Sequence, residues 1–400
     1  MKLAAFAPFH ATLDRATRFH ATLFRATTTR QKTARTTPFH LTPPRAKLIL
    51  AAPFLATPIF ASLALTAIIF ATTGASPICW AQADQQEVKH HGMMHAMDSR
   101  HPVSKTARLS VSNATAASTL TVRVGPVALP RRAAMNVAQP RAFFLTIPFD
   151  GWLTAFHPRL VDAHGQRLPN KLLHHAAFYN LARPDFLCAH KPEHIFGAGG
   201  EMNDWPAVPG FGYPVRRGDR IRVTAMFANS TPKNYPGAFL EVRIEYRAAQ
   251  SAAANPSAAL KDVYPAWFDV TACGKSGYDL PPGTSTKTGQ FTLRYSGRLL
   301  GVGGHLHNYG EWLVLKDATT QQTVATLAAN LDPSGQILSM PIKLFTHTGG
   351  FPLHRGEVLT VTDAYNNPTG KPIPAGAMGI VVGYFLPDDP AAFASLRRHR

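Results

Sequence analysis

Short β-prone runs dominate this chain and limit what it can become. Residues 120–124, 142–147, 152–160, 172–179, 220–227 and 239–246 are rich in Val, Ile, Leu, Phe and Thr and partly alternate apolar with polar residues. Gly, Pro, Asn or Asp bounds each of them. A second series follows at 291–295, 299–302, 311–316, 323–328, 342–345, 358–363 and 379–385. Such runs read as strands, and no stretch carries a convincing amphipathic helix longer than two turns. Many short strands with frequent turn signals predict an all-β chain of sandwich or barrel type. The 33 Pro and 29 Gly residues suit loop-rich β architecture. We expect two tandem β-sandwich domains, at 105–250 and 263–390, joined through an Ala/Ser/Asn/Pro linker at 251–262.

The N-terminal fifth has a different character. Residues 1–83 carry nine basic groups and one acid, +8 of the formal +18, leaving +10 on the other 317 residues. A crude Phe-His-Ala-Thr-Leu repeat at 9–13 and 19–23 is too short and polar to bury a core. Residues 48–72 then run without a charge, and small residues lead to Ala81-Gln82-Ala83. A basic region, an apolar region and an Ala-x-Ala site together predict a signal segment over 1–83, cut after Ala83. The apolar run is long enough to span a bilayer. Pro53, Pro58 and the Ala-x-Ala site favour cleavage, which leaves no stable membrane span. The expected location is secreted or periplasmic. Export leaves Cys188 and Cys273, which either pair in an oxidising compartment or remain buried thiols. No dinucleotide fingerprint, phosphate loop or Gly-x-Ser-x-Gly elbow is present. Arg and aromatic residues do not interleave as a nucleic-acid platform would require, so the positive charge does not point to nucleic acid.

Histidine and methionine carry the chemical signal. In Gly303-Gly304-His305-Leu306-His307-Asn308, a strand projects His305 and His307 to one side. Two imidazoles on one face can share a metal such as copper, zinc, iron or nickel. His174 and His175 are adjacent, so both reach one ion only if a twist or bulge intervenes. Met378 opens an apolar strand and gains meaning as a soft ligand only beside copper. His90, His91, Met93, Met94, His95 and Met97 form a flexible His/Met-rich tail at 84–104 of the kind that suits copper in both oxidation states.

In this order, His174-His175, then His305-x-His307, then Met378, the ligands resemble those of the copper type II, ascorbate-dependent monooxygenases. That family includes peptidylglycine α-hydroxylating monooxygenase and dopamine β-monooxygenase. The phrases at 152–163, 172–180, 209–213 and 303–310 look similar to a branch that includes plant stress-up-regulated nodulin proteins, and the resemblance covers about residues 140–386. It implies two jelly-roll domains and two separated mononuclear copper sites. His305, His307 and Met378 would hold the copper that activates O₂. His174 and His175 would hold an electron-transfer copper. The family's first site has a third His on a later strand, where residues 220–229 of this chain have none. Met226 would substitute, the site would be two-coordinate, or His157, His190 or His194 would complete it. His347 is an extra candidate for the second site, whereas His354 reads as a loop residue. The resemblance implies an external reductant and a small-molecule or peptide substrate whose identity the sequence does not carry. The competing expectations are a non-catalytic copper-binding or stress-related exported protein and, less favoured, a carbohydrate-binding sandwich.

Overall fold

The computed structural model describes residues 106–131, 139–201, 204–250 and 259–396. The expected signal segment at 1–83, the His/Met tail at 84–104 and most of the expected linker, 251–258, lie outside the described residues. The described residues are nearly all β, as expected.

Ten strands come first: β1 (Arg108–Ala114), β2 (Thr119–Leu129), β3 (Phe143–Thr146), β4 (Gly151–Val161), β5 (Leu173–Pro184), β6 (Pro192–Gly199), β7 (Phe211–Val215), β8 (Arg220–Phe227), β9 (Tyr235–Ala248) and β10 (Lys261–Asp262). They form a six-stranded sheet ordered β1-β2-β9-β4-β7-β10 and a four-stranded sheet ordered β3-β8-β5-β6. Their pairings are antiparallel except for β10, which joins β7 in parallel. Lys261 and Asp262, at the end of the expected linker, are therefore part of the first sheet.

The second half contains β11 (Tyr264–Asp269), β12 (Tyr278–Leu280), β13 (Gly283–Thr292), β14 (Gly297–Leu306), β15 (Gly310–Asp317), β16 (Thr323–Ala328), β17 (Asn330–Leu331), β18 (Ile337–Ser339), β19 (Ile342–Leu344), β20 (Phe351–Leu353), β21 (Val358–Asn367), β22 (Ile373–Ala377) and β23 (Gly379–Pro387). One sheet runs β11-β23-β14-β19, with β20 also on β14, and another runs β13-β21-β15-β16. The short pairs β12-β22 and β17-β18 lie outside them. A short helix, Pro390–Ala394, closes the described chain, with the Asp389 carboxylate accepting from the Ala392 N–H as its N-cap.

Burial follows the pleat. On β9, Ala238, Leu240, Val242, Ile244 and Tyr246 are buried, while the residues between them are more exposed. Each such apolar side chain contributes about 1.5–3 kcal/mol when removed from water. Alternation fails on β14 and β23, which are buried along nearly their whole length. A strand covered on both faces has no solvent side to mark with polar residues. These are the strands that carry or flank the His305-x-His307 motif.

The halves share one hydrophobic core and are tied by specific contacts. Cys188 and Cys273 form a disulfide, which settles the choice between pairing and free thiols. On β5, buried Arg183 donates to Glu193 at 3.0 Å and to the Phe393 carbonyl at 2.9 Å. Its guanidinium lies 4.7 Å from the Tyr264 ring centre. Tyr213 also donates to Glu193. Burial pushes the Glu193 carboxyl up to about 7, against the pull of Arg183. Such a pair holds its geometry because neither group can lose its partner without leaving a charge unpaired in the interior.

The Cys188–Cys273 bridge yields a direct expectation. Cys273→Ser should lower unfolding free energy by about 2–4 kcal/mol in urea titrations. The loss should match that produced by reducing the wild type.

Candidate metal centre

The adjacent histidines reach one side through a bulge. Between β5 and β8, Leu173 pairs with Phe227 and the next pair is His175 with Met226. His174 is the extra residue, and the local kink of a bulge re-aims its side chain. The His174 and His175 rings consequently sit with centroids 4.1 Å apart.

His305 lies near the end of β14 and His307 just beyond it, with fully buried Leu306 pointing the other way. Tyr365 secures this end. Its hydroxyl donates to the Met378 carbonyl at 2.7 Å and accepts from the His307 and Met378 N–H groups, each at 3.0 Å. The last β14–β23 pair is Leu306 with Gly379, so one step further Met378 stands across from His307.

The two motifs meet. The Nε2 atoms of His175 and His307 are 2.8 Å apart. The centroid separations are 5.3 Å for His174–His307, 5.3 Å for His175–His305 and 5.5 Å for His305–His307. One ring nitrogen from each of His174, His175 and His307 lies within 4.8 Å of the other two. The resemblance implied two separated centres. The structure instead brings all four imidazoles into one cluster, and an imidazole from the second half, His307, stands beside the His174-His175 pair.

Glycines on β6 make the approach possible. Gly199 pairs with His175, and a Cβ there would lie 2.6 Å from His305 Cε1 and 2.6 Å from Glu201 Oε2. At Gly197 a Cβ would lie 2.7 Å from the Trp267 ring. Without side chains, this edge lets the second half press against the first-half sheet.

Glu201 completes the arrangement, and no sequence signal identified it. Its Oε1 accepts from the Gly199 N–H at 3.0 Å and lies 2.8 Å from His305 Nδ1. A carboxylate on Nδ1 fixes the tautomer that leaves the Nε2 lone pair available, a common support for metal-binding histidines. His305 Nε2 is buried with no protein partner. Burial pulls the His305 pKa down, but the Glu201 charge and hydrogen bond outweigh it and the net shift is upward. Burial drives His307 well below the usual imidazole range, and His174 and His305 add to that. His307 is therefore a neutral imidazole, the form that binds metals.

The donor set fits a metal ion. Two nitrogens 2.8 Å apart match imidazoles each roughly 2.0 Å from one ion and about 90° apart. Without an ion the same spacing is a hydrogen bond in which one ring donates. Imidazoles of this kind suit copper, zinc, iron and nickel.

The remaining candidates sort clearly. Met226 is buried on the face of β8 that His175 shares, as cross-strand partners do. His157 is elsewhere, with Nδ1 2.6 Å from Asp204 and Nε2 3.1 Å from Glu245. His190, His347 and His354 are exposed. His194 is partly buried and stacks on Trp267 with centroids 3.5 Å apart. The tail histidines and methionines lie outside the described residues.

No family model matches the chain. Among curated proteins, it is similar to the probable copper-dependent oxygenase clz3 of Cochliobolus lunatus, 24% identical over 214 residues. The match covers 50% of this chain and 65% of that protein, just under two thirds of its length.

Gly199→Ala tests the docking. The added methyl should cost about 1–3 kcal/mol through overpacking, read by urea unfolding, and should displace the His305 imidazole resonances in NMR. Unchanged stability and unchanged resonances would contradict the close approach.

Proposed function

We propose that the protein is an exported copper-dependent oxygenase-like oxidoreductase with one composite copper centre between its halves. The convergence of His174, His175 and His307 nitrogens carries this reading. The likeness to a protein named as a probable copper-dependent oxygenase supports the choice of copper among imidazole-binding metals. The disulfide supports an oxidising compartment. The proposed partners are an external one-electron reductant and an organic substrate.

Each residue has a defined task in this reading. His174, His175 and His307 supply nitrogen ligands from both halves, His307 as a neutral imidazole. His305, oriented by Glu201, stands beside this trio with its Nε2 unpartnered. Met226, the cross-strand partner of His175, and Met378, one residue beyond the last β14–β23 pair, are the thioethers closest in register, and thioethers favour reduced copper. Tyr365 holds the His307 and Met378 backbones in register. Bound copper would supply the one-electron chemistry by which O₂ is activated.

The experiment is copper titration with metal analysis, using the full chain with His90, His91, His95 and His101 changed to Ala to silence the tail. The expected result is a single tightly held copper that His307→Ala abolishes, together with ascorbate-driven O₂ uptake. Absence of bound copper would overturn the copper assignment. Copper without O₂ uptake would overturn the oxygenase reading and leave a copper-holding exported protein.

Glu201→Gln tests the support of His305. Copper affinity should fall by about 10–100-fold, measured by competition with a chelator of known affinity. Unchanged affinity would remove His305 from the ligand set.

A further inference from the structure

A row of stacked side chains crosses the first-half sheet and ends beside the histidine cluster. Tyr179 on β5 pairs with Arg222 on β8 and with His194 on β6, so the three share one face. The Arg222 guanidinium lies 4.5 Å from the Tyr179 ring centre. Tyr179 and His194 stack with centroids 4.4 Å apart. Trp267, which comes from the second half, lies on His194 at 3.5 Å and 8° from parallel.

Two features set Trp267 apart from a packing residue. The first is its seat. Its ring occupies the space over Gly197, while His305 occupies the space over Gly199. These positions are two apart on one strand, about 7 Å along it. A readily oxidised side chain thus sits next to the centre, on a strand edge cleared of side chains for both rings. The second is its polar atom. Trp267 Nε1 is buried and has no hydrogen-bond partner, and neither has His194 Nε2. A buried indole N–H normally finds an acceptor. Packing is thus served at Trp267 while its polar group is left unmet. Part of the Trp267 side chain remains exposed to solvent.

We propose that Trp267 is an electron relay between the copper centre and solvent, which discharges the oxidised centre when no substrate is bound. The proposal rests on the copper reading above. In the step, the indole loses one electron and the oxidised centre gains it. Nε1 faces no acceptor, so the indole keeps its proton and becomes a radical cation. A one-electron reductant of the ascorbate class then returns an electron at the exposed edge. The net transfer is one electron from the reductant to the centre, with no bond made or broken in the protein. His194, a neutral imidazole lying flat on the indole, positions the ring and presents an electron-rich face to the cation. The oxidant is hydrogen peroxide: its O–O bond breaks and, with one electron from the reduced centre, one from the indole and two protons from solvent, it leaves as two waters.

The test reads the radical itself. Full-length protein loaded with copper and reduced is mixed with hydrogen peroxide, without substrate, and freeze-quenched for electron paramagnetic resonance. An organic radical should form, and ring-deuterated tryptophan should narrow its signal. Trp267→Phe should abolish it with copper content unchanged. Trp267→Tyr, which keeps an oxidisable ring in the seat, should retain a radical of different line shape. Trp312→Phe, on β15, should leave the signal intact. Full copper occupancy without a radical, or the same radical in Trp267→Phe, would overturn the relay and leave the copper reading standing. Failure to hold copper would overturn the copper reading and the relay with it.

Discussion

The close approach of the β14 end to the glycine edge of β6 is the contact on which the rest depends. His305 and Trp267 both occupy space that a side chain at Gly199 or Gly197 would fill. With that space open, His307 comes within 2.8 Å of His175, and Glu201 of the first half reaches His305 of the second. The hydrogen bond from buried Arg183 to the Phe393 carbonyl and the Cys188–Cys273 bridge hold the halves in this relation. The cluster is a property of the joint between the halves.

Electrostatics within the cluster are uneven. His307 is partly buried and faces other imidazoles, so protonation there is strongly disfavoured. His305 is also partly buried, but the adjacent carboxylate reverses the balance. The centre thus combines a neutral donor at His307 with one imidazole, His305, tied to a negative charge, an asymmetry suited to binding a cation. In a buried site a metal satisfies nitrogen lone pairs that protein groups leave unmet.

Several features were legible in the sequence because they are local. Alternation and turn residues marked strands such as β4, β5 and β9. The requirement for a bulge at His174-His175 followed from strand geometry alone, and the structure has one there. β6 and β13 escaped notice for opposite reasons. Pro192, Gly197 and Gly199 make β6 resemble a turn, although its glycines serve docking. The β13 sequence, Gly283-Thr284-Ser285-Thr286-Lys287-Thr288, is too polar to advertise a strand that is largely exposed.

The chain by itself determined an all-β architecture, the histidine and methionine motifs and their order. These depend on spacing between neighbours along a strand, which every residue carries with it. Only the tertiary structure decided that His307 stands beside the His174-His175 pair, that Glu201 supports His305 across 104 positions, and that Trp267 lies against His194. The physical reason is the same in each case. These partners belong to different halves, and their distance is set by which surfaces lack side chains where the sheets meet. No pattern along one strand encodes that.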